Sequence, residues 1–490
     1  MPVLTRFDLP AVRLRPAARV PGRRAPEGRP GLSPLGLFTV LLGVFLPMTD
    51  FFIVNVALPT IDRDLRASSG MLQLVVAGYT IGYAVLLVVG GRLGDAVGRR
   101  RLFLAGMAGF TVASLACGIA PTAGILVAVR ALQGATAAMM VPQVLSTIQA
   151  RTHGAERARA LGLFGACGGI ATVTGQLAGG LLVSANIAGA GWRPIFLVNV
   201  PIGIAGLFLA SRTVPETRSP APARIDVPGT ALLAAAVLML LIPLTEGRSL
   251  GWPAWTLALL ALSPVAGAAF VAAERRLERA GGVPLVPFSL LRIPSMRRGL
   301  LLAVPFFTGF GGFMFVYALT LQDGAHFGPL KTGASLVPFA LAFLIASLCT
   351  ARLVSRFGRR VMTAGAALQA VGLAGLAGAY LATWPGLNLW LMMPGLVVAG
   401  FGQGLVLSPL FRVVLSEVPA DQAGAASGVL TTMLQSSLAL GVATLGSLYL
   451  TASPAARLGS LGAATLTLAL LVAVAILVAG LTRRLPDVSD

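Results

Sequence analysis

Asp50 stands in the run MTDFFIVNVALP (Met48 to Pro59), about 15 residues into an apolar segment. A carboxylate at that depth costs roughly 3 kcal/mol unless it is paired or protonated. Burial favours the neutral form of a carboxyl group and a nearby cation favours the charged form, so small movements can switch its proton. That is the property a proton-coupling group needs. Arg130 is the one cation inside an apolar segment, and Gln133 follows one helical turn later on the same face. A guanidinium keeps its proton. It can instead hold a carboxylate, and Asp50 is the natural partner. Structural roles stand beside these readings: a watery outer mouth around Asp50, or a polar packing network around Arg130.

The connector GGRLGDAVGRRR (Gly90 to Arg101) is a second constellation. Gly91 and Gly98 permit a tight turn and close helix approach. Asp95 is placed to meet the positive end of a helix or an arginine of another part of the chain. Such a contact, with Arg99 and Arg100, would latch one conformation; a plain positive anchor accounts for the arginines alone. A third stretch, GLFGACGGIATVTGQLAGG (Gly162 to Gly180), has seven glycines, among them Gly175, Gly179 and Gly180. Small residues at spacings of three and four let helices pack closely, which suits a hinge and equally suits ordinary packing. Phe306, Phe307, Phe310, Phe313, Phe315 and Tyr317 make one segment aromatic. They read either as lipid-facing bulk or as a lining for a flat, greasy substrate.

Other chemistries find little support. His153 and His326 are isolated and read as surface residues, while Glu246 and Asp323 sit at segment ends, where carboxylates snorkel. Cys117, Cys167 and Cys349 stand alone in apolar segments and read as packing residues, with no metal-ligand spacing. No phosphate-cradling GxxxxGK[ST] loop is present, which argues against ATP drive. Nothing resembles an enzyme and no cofactor is called for.

The elements that position these residues are apolar and long. Of 490 residues 56% are hydrophobic and 11% charged, against about a quarter charged in soluble domains. Charge-free stretches such as 67–91, 160–192 and 361–411 each exceed the ~20 residues of a spanning helix. Fourteen spans follow, which predicts an all-α polytopic membrane protein with both termini on one side. Thirty of the 37 Lys and Arg fall on that side, six on the other and Arg130 within a span. The positive-inside rule then places both termini in the cytoplasm and the chain in the cell (inner) membrane. The net charge of +20 is therefore topological, and nucleic acid is not an expected partner.

Repetition divides the chain. RLGDAVGRR at 92–100 recurs as RLVSRFGRR at 352–360, an offset of 260, and Gln133-Gly134 recurs as Gln403-Gly404. The expected plan is two six-helix pseudo-repeats, 34–212 and 299–482, around a linker, 213–298, with two additional central transmembrane helices. The polar segment from Glu274 to Arg298 reads as a solvated connector or an amphipathic linker. Residues 1–33 read as a disordered cytoplasmic tail and 483–490 as a second tail.

These motifs together resemble the fourteen-helix drug:proton antiporters of the major facilitator superfamily. The resemblance rests on DFFIVNVALP (Asp50 to Pro59), Gly91 to Arg101, Arg130-Ala131-Leu132-Gln133-Gly134, GQLAGG (Gly175 to Gly180) and WRPIFLVNVPIG (Trp192 to Gly203). It covers nearly everything after the first tail. It implies export of small lipophilic drugs or antibiotics by alternating access, driven by the proton gradient, from a monomer in the lipid bilayer. Asp50 would exchange protons, Arg130 would assist, and Gly91, Asp95, Gly98, Arg99 and Arg100 would gate. Asn55, Gln133, Gln176 and Asn199 become candidate cavity residues. The sequence departs from the family at Phe52 (usually Thr), at Gln176 (usually Pro, the span-five kink) and at Ser355, which replaces Asp95 in the second repeat. No carboxylate lies well inside the second-half spans, which favours neutral or monovalent substrates over dications. A dedicated exporter of one metabolite (a self-made antibiotic or a siderophore), a non-transporting sensor or scaffold, and a channel are the alternatives.

Overall fold

The computed structural model describes residues 31–218, 226–247, 250–282, 284–418, 423–454 and 457–485. The expected tails fall mostly outside them. In a bilayer core, backbone groups find no water and must bond within their own segment, so apolar stretches become helices. Fourteen described helices are long and apolar enough to cross. They are α1 (Pro34–Leu65), α2 (Ser69–Val97), α3 (Arg99–Gly118), α4 (Ala123–Arg151), α5 (Gly154–Ala185), α6 (Pro194–Thr213), α7 (Val227–Glu246) and α8 (Ala254–Arg279). The second set comprises α9 (Pro294–Gly324), α10 (Pro329–Thr350), α11 (Arg360–Thr383), α12 (Leu389–Leu415), α13 (Ala426–Ala452) and α14 (Gly459–Thr482). Several starts are set locally. The Ser33, Ser68 and Thr122 hydroxyls accept backbone N–H groups of Gly36, Met71 and Ile125, capping α1, α2 and α4.

The two sets repeat each other's contacts. In the first, α1 packs on α5, α2 on α4, and α3 on α4 and α6. In the second, α9 packs on α13, α10 on α12, and α11 on α12 and α14. The halves meet along two seams, α2 with α13 and α5 with α10, which exchange under the same relation. Close approach fixes both halves at matched points. A Cβ on Gly134 of α4 would run into the Tyr79 carbonyl of α2, and one on Gly404 of α12 would lie 2.6 Å from the Phe343 carbonyl of α10. Van der Waals packing, rather than water release, drives helices together in lipid, so these glycines set the spacing of each pair.

The inserted hairpin lies outside this repeat. α7 docks over the α2–α13 seam, where its Leu241 joins Ala77, Ile81, Ala439 and Ala443 in one buried cluster. Ser447 Oγ of α13 donates to the Leu244 carbonyl at 2.8 Å. α8 is held to α7 through Ser263 Oγ, 3.1 Å from the Ala236 carbonyl. The connector after α8 is not simply solvated: Glu274 is fully buried and accepts the Val286 N–H at 2.7 Å, while Arg92 of α2 donates to the Pro284 carbonyl. Glu246 also differs from a snorkelling end group, being 9% exposed against Gly70 of α2.

Candidate functional site

Asp50 and Arg130 meet in the middle of the first half. Both are 0% exposed, and Arg130 Nη1 forms an ion pair with Asp50 Oδ2. α1, α4 and α6 each contribute to the carboxylate's shell. Gln133 Nε2 and Asn199 Nδ2 donate to Asp50 Oδ1 at 3.0 and 2.9 Å. Gln133 in turn donates to Ser114 Oγ of α3 at 2.8 Å and accepts from Arg130 at 2.6 Å. The guanidinium is held independently of the carboxylate as well. Its Nε donates to the Val75 carbonyl at 3.1 Å, and its plane lies 4.3 Å from the Tyr79 ring centroid and 5.5 Å from that of Phe196. Tyr79 and Ser114 carry no sequence signal that separates them from ordinary packing positions, while Phe196 lies in the quoted Trp192 to Gly203 motif without being singled out there.

This arrangement has a definite chemical capacity. A carboxyl group that takes a proton releases its ion-pair attraction, while the arginine keeps the Val75 carbonyl, Gln133 and two rings. Opening the pair therefore leaves the cation its neutral partners but not its counter-charge, and its buried Nη2 has no hydrogen-bond partner. The two remaining cavity candidates lie elsewhere. Asn55 Nδ2 bonds back to the Phe51 carbonyl of its own helix at 2.9 Å, and Gln176 Nε2 reaches the Phe52 carbonyl at 3.5 Å.

The connector motif closes on itself. Gly98 adopts φ 119°, a conformation that favours glycine, and turns α2 into α3. Arg99 Nη2 pairs with Asp95 at 2.9 Å and its Nη1 donates to the Ser146 carbonyl of α4 at 3.2 Å. In this conformation Asp95 thus serves its own connector. Glu216, which the sequence did not single out, accepts the Arg100 N–H at 3.2 Å and lies 3.9 Å from Arg101. Arg100 also bonds the Ser211 carbonyl, which ties α6 to the motif, and Gly91 faces Pro142.

The glycines of α5 sit where helices touch. A Cβ on Gly175 or Gly179 would lie 2.9 Å from the Thr49 or Ile53 carbonyl of α1, and one on Gly180 would lie 2.8 Å from the Pro329 carbonyl of α10. Across the halves, on the side away from the termini, Gln322 Nε2 donates to the Val56 carbonyl at 2.8 Å and Leu330 N–H to Ser184 Oγ at 3.0 Å. Ser447 Oγ donates to Gln73 there at 3.1 Å. On the side of the termini, exposure runs along the α1 stripe Phe38, Leu41, Phe45 and Met48 and ends at Phe52, which is 7% exposed. The aromatic segment of α9 faces inward: Phe306, Phe307, Phe313, Phe315 and Tyr317 are all buried and Phe310 half-buried, so they are not lipid-facing bulk. Among the described residues no cluster of His, Cys, Asp and Glu has the arrangement of a metal site.

Two matched six-helix halves, the first holding a buried ion pair, define a membrane transporter. The chain belongs to the Major Facilitator Superfamily, whose profile matches residues 40–442. It is 40% identical over 412 residues to a probable actinorhodin transporter of Streptomyces coelicolor, covering 84% of this chain and 71% of that one. It is 34% identical to the puromycin resistance protein pur8 of Streptomyces alboniger, with 92% and 91% covered. A multidrug resistance protein, Stp, of Mycobacterium tuberculosis is 35% identical, with 84% and 75% covered. Among solved structures, a D-xylose-proton symporter aligns with TM-score 0.66 at 14% identity, covering 92% of this chain and 98% of that one. An auto-inhibited POT family peptide transporter gives 0.65 at 17%, covering 93% and 98%. At such identities these last two show the fold alone.

Proposed function

We propose that this protein is a proton-coupled antiporter that exports small lipophilic drugs or antibiotics across the cytoplasmic membrane. The observation that carries the coupling is the fully buried Asp50–Arg130 pair, whose cation keeps other partners when the carboxylate is neutralised. The export reading is supported by relatives named for antibiotic transport and drug resistance. With both termini cytoplasmic, as the Lys and Arg distribution favours, the three hydrogen bonds between the halves become an outer seal. The exposed apolar stripe on α1 then lies on the cytoplasmic side and stops at Phe52. In the cycle, substrate binds from inside and the halves rock about the α2–α13 and α5–α10 seams. A proton entering from outside neutralises Asp50, loosens α1 from α4 and resets the carrier. The chain acts as a monomer, with the proton gradient as its only energy source.

The test uses inverted membrane vesicles holding an imposed proton gradient. A panel of lipophilic drugs, added one at a time, should release protons in vesicles containing the protein and not in control vesicles. If no member of the panel does so, broad drug efflux is wrong. A dedicated exporter of one metabolite would then respond only to that compound.

A further inference from the structure

The second half repeats the scaffold of the first but not its charges. The offset of 260 that aligns Arg92 with Arg352 sets Phe310 of α9 opposite Asp50, and the Gln133/Gln403 match sets Gly400 opposite Arg130. Where the first half holds an ion pair, the second holds rings and one amide pair. Phe310 stacks on Phe339 of α10, with centroids 6.5 Å apart and planes at 13°, and Phe313 closes on the same ring at 5.6 Å. These residues line a cleft with Phe306, Leu471 of α14 and Gln369 of α11. The cleft is about 10 Å³, room for a single water, so the rings fill it in this conformation.

The one polar side chain lining the cleft, Gln369, leads to an open donor behind it. Gln369 donates to Gln403 Oε1, and Gln403 Nε2, on a side chain that is 0% exposed, has no partner. The matched amide in the first half, Gln133, donates twice from its Nε2. A buried donor left open is costly until an acceptor arrives. The cleft is also linked to the proton site. Phe52 lies two residues beyond Asp50, hence on the opposite face of α1, and its ring meets Phe310 edge-on at 6.2 Å.

We propose that this cleft is a substrate subsite for an uncharged, planar aromatic ring system bearing carbonyl or hydroxyl oxygens. The ring packs against Phe310 and Phe339 once they part, and an oxygen accepts the open Nε2–H of Gln403. The assignment deepens the export reading and rests on it. Phe52, at the end of the exposed α1 stripe, is the contact through which α1 passes its movement to the bound ring.

The experiment measures binding of two probes to the purified full chain in detergent by fluorescence titration: neutral 1,8-dihydroxyanthraquinone, and ethidium, a planar cation without ring oxygens. Gln403→Met removes the open donor and should weaken dihydroxyanthraquinone about tenfold while changing ethidium less than twofold. It also takes the acceptor from the part-buried Gln369 Nε2, so a melting temperature close to wild type together with unchanged ethidium binding shows that the fold is intact. Phe310→Leu is the second variant and should weaken dihydroxyanthraquinone at least as much. Wild-type affinity in both variants, or an equal loss for both probes in Gln403→Met, overturns the assignment. If wild-type vesicles expel ethidium while the protein binds no dihydroxyanthraquinone, the subsite fails and drug export stands. If the vesicles expel no drug of the panel, the export reading fails first.

Discussion

Asp50→Asn keeps the side chain's shape and removes its charge. The amide oxygen can still accept from Gln133 Nε2 and Asn199 Nδ2, as the carboxylate does at 3.0 and 2.9 Å. Its nitrogen, however, must face Arg130 Nη1, setting donor against donor at a fully buried position. Removing one member of a buried ion pair costs about 3–5 kcal/mol, because the other charge is left uncompensated. The Val75 carbonyl, Gln133 and the two rings soften that loss, so the lower end of the range, about 3 kcal/mol, is expected here. In detergent this should lower the melting temperature by on the order of 5 °C. Adding Arg130→Gln to Asp50→Asn removes the stranded cation and should restore most of the stability, a coupling of about 2 kcal/mol in a double-mutant cycle. Neither variant should show drug-induced proton release in inverted vesicles. A double variant no more stable than Asp50→Asn would refute the energetic account of the pair. Gradient-driven transport in Asp50→Asn would refute its coupling role.

Two further outcomes concern the scaffold. Gly134→Val and Gly404→Val should each wedge a helix pair apart, since the added Cβ meets the Tyr79 or Phe343 carbonyl; size-exclusion chromatography of a fluorescent fusion should show loss of the monodisperse peak. A normal peak would mean that the pairs tolerate separation. On the far side, Asp64 accepts from Trp192 Nε1 at 2.9 Å and from Arg193 Nη1 at 2.7 Å. Asp64→Ala leaves the buried indole without an acceptor and should cost about 1–3 kcal/mol by thermal melting, whereas Arg193→Gln, which breaks only a partly exposed pair, should cost under about 1 kcal/mol. Equal losses would place the value of the contact in the ion pair instead.

Much of the plan was legible because lipid makes the code coarse. A charge-free stretch of 20 or more residues has few alternatives to a spanning helix, and the Arg92/Arg352 repeat exposed the two halves. Asp50 and Arg130 could be paired on paper because each was nearly alone among apolar residues. What stayed hidden depends on which face of a helix meets which neighbour. Tyr79 beneath the guanidinium, Glu216 after α6 and packed on the start of α3, and the buried Glu274 look in sequence like any Tyr or Glu near a span. The α9 phenylalanines were equally ambiguous, because a ring is apolar whether it meets lipid or another ring. Only the packing against Phe52 of α1 and Phe339 of α10 resolved their direction.

Among the described residues, Asp50 is the only carboxylate in the middle of a spanning helix, and under the proposed proton antiport that number sets a ceiling on work. A carrier that moves one proton per cycle on one such group gains about 2.3 kcal/mol for each 100 mV of proton-motive force. At about 1.4 kcal/mol per factor of ten, an uncharged compound can then be concentrated outward about fifty-fold per 100 mV. For such a cargo each turnover also carries net positive charge inward, so the membrane voltage drives export together with the pH difference. For a monovalent cation the exchange is electrically silent and only the pH difference remains. The same exporter would thus hold its two kinds of cargo at different gradients in one cell.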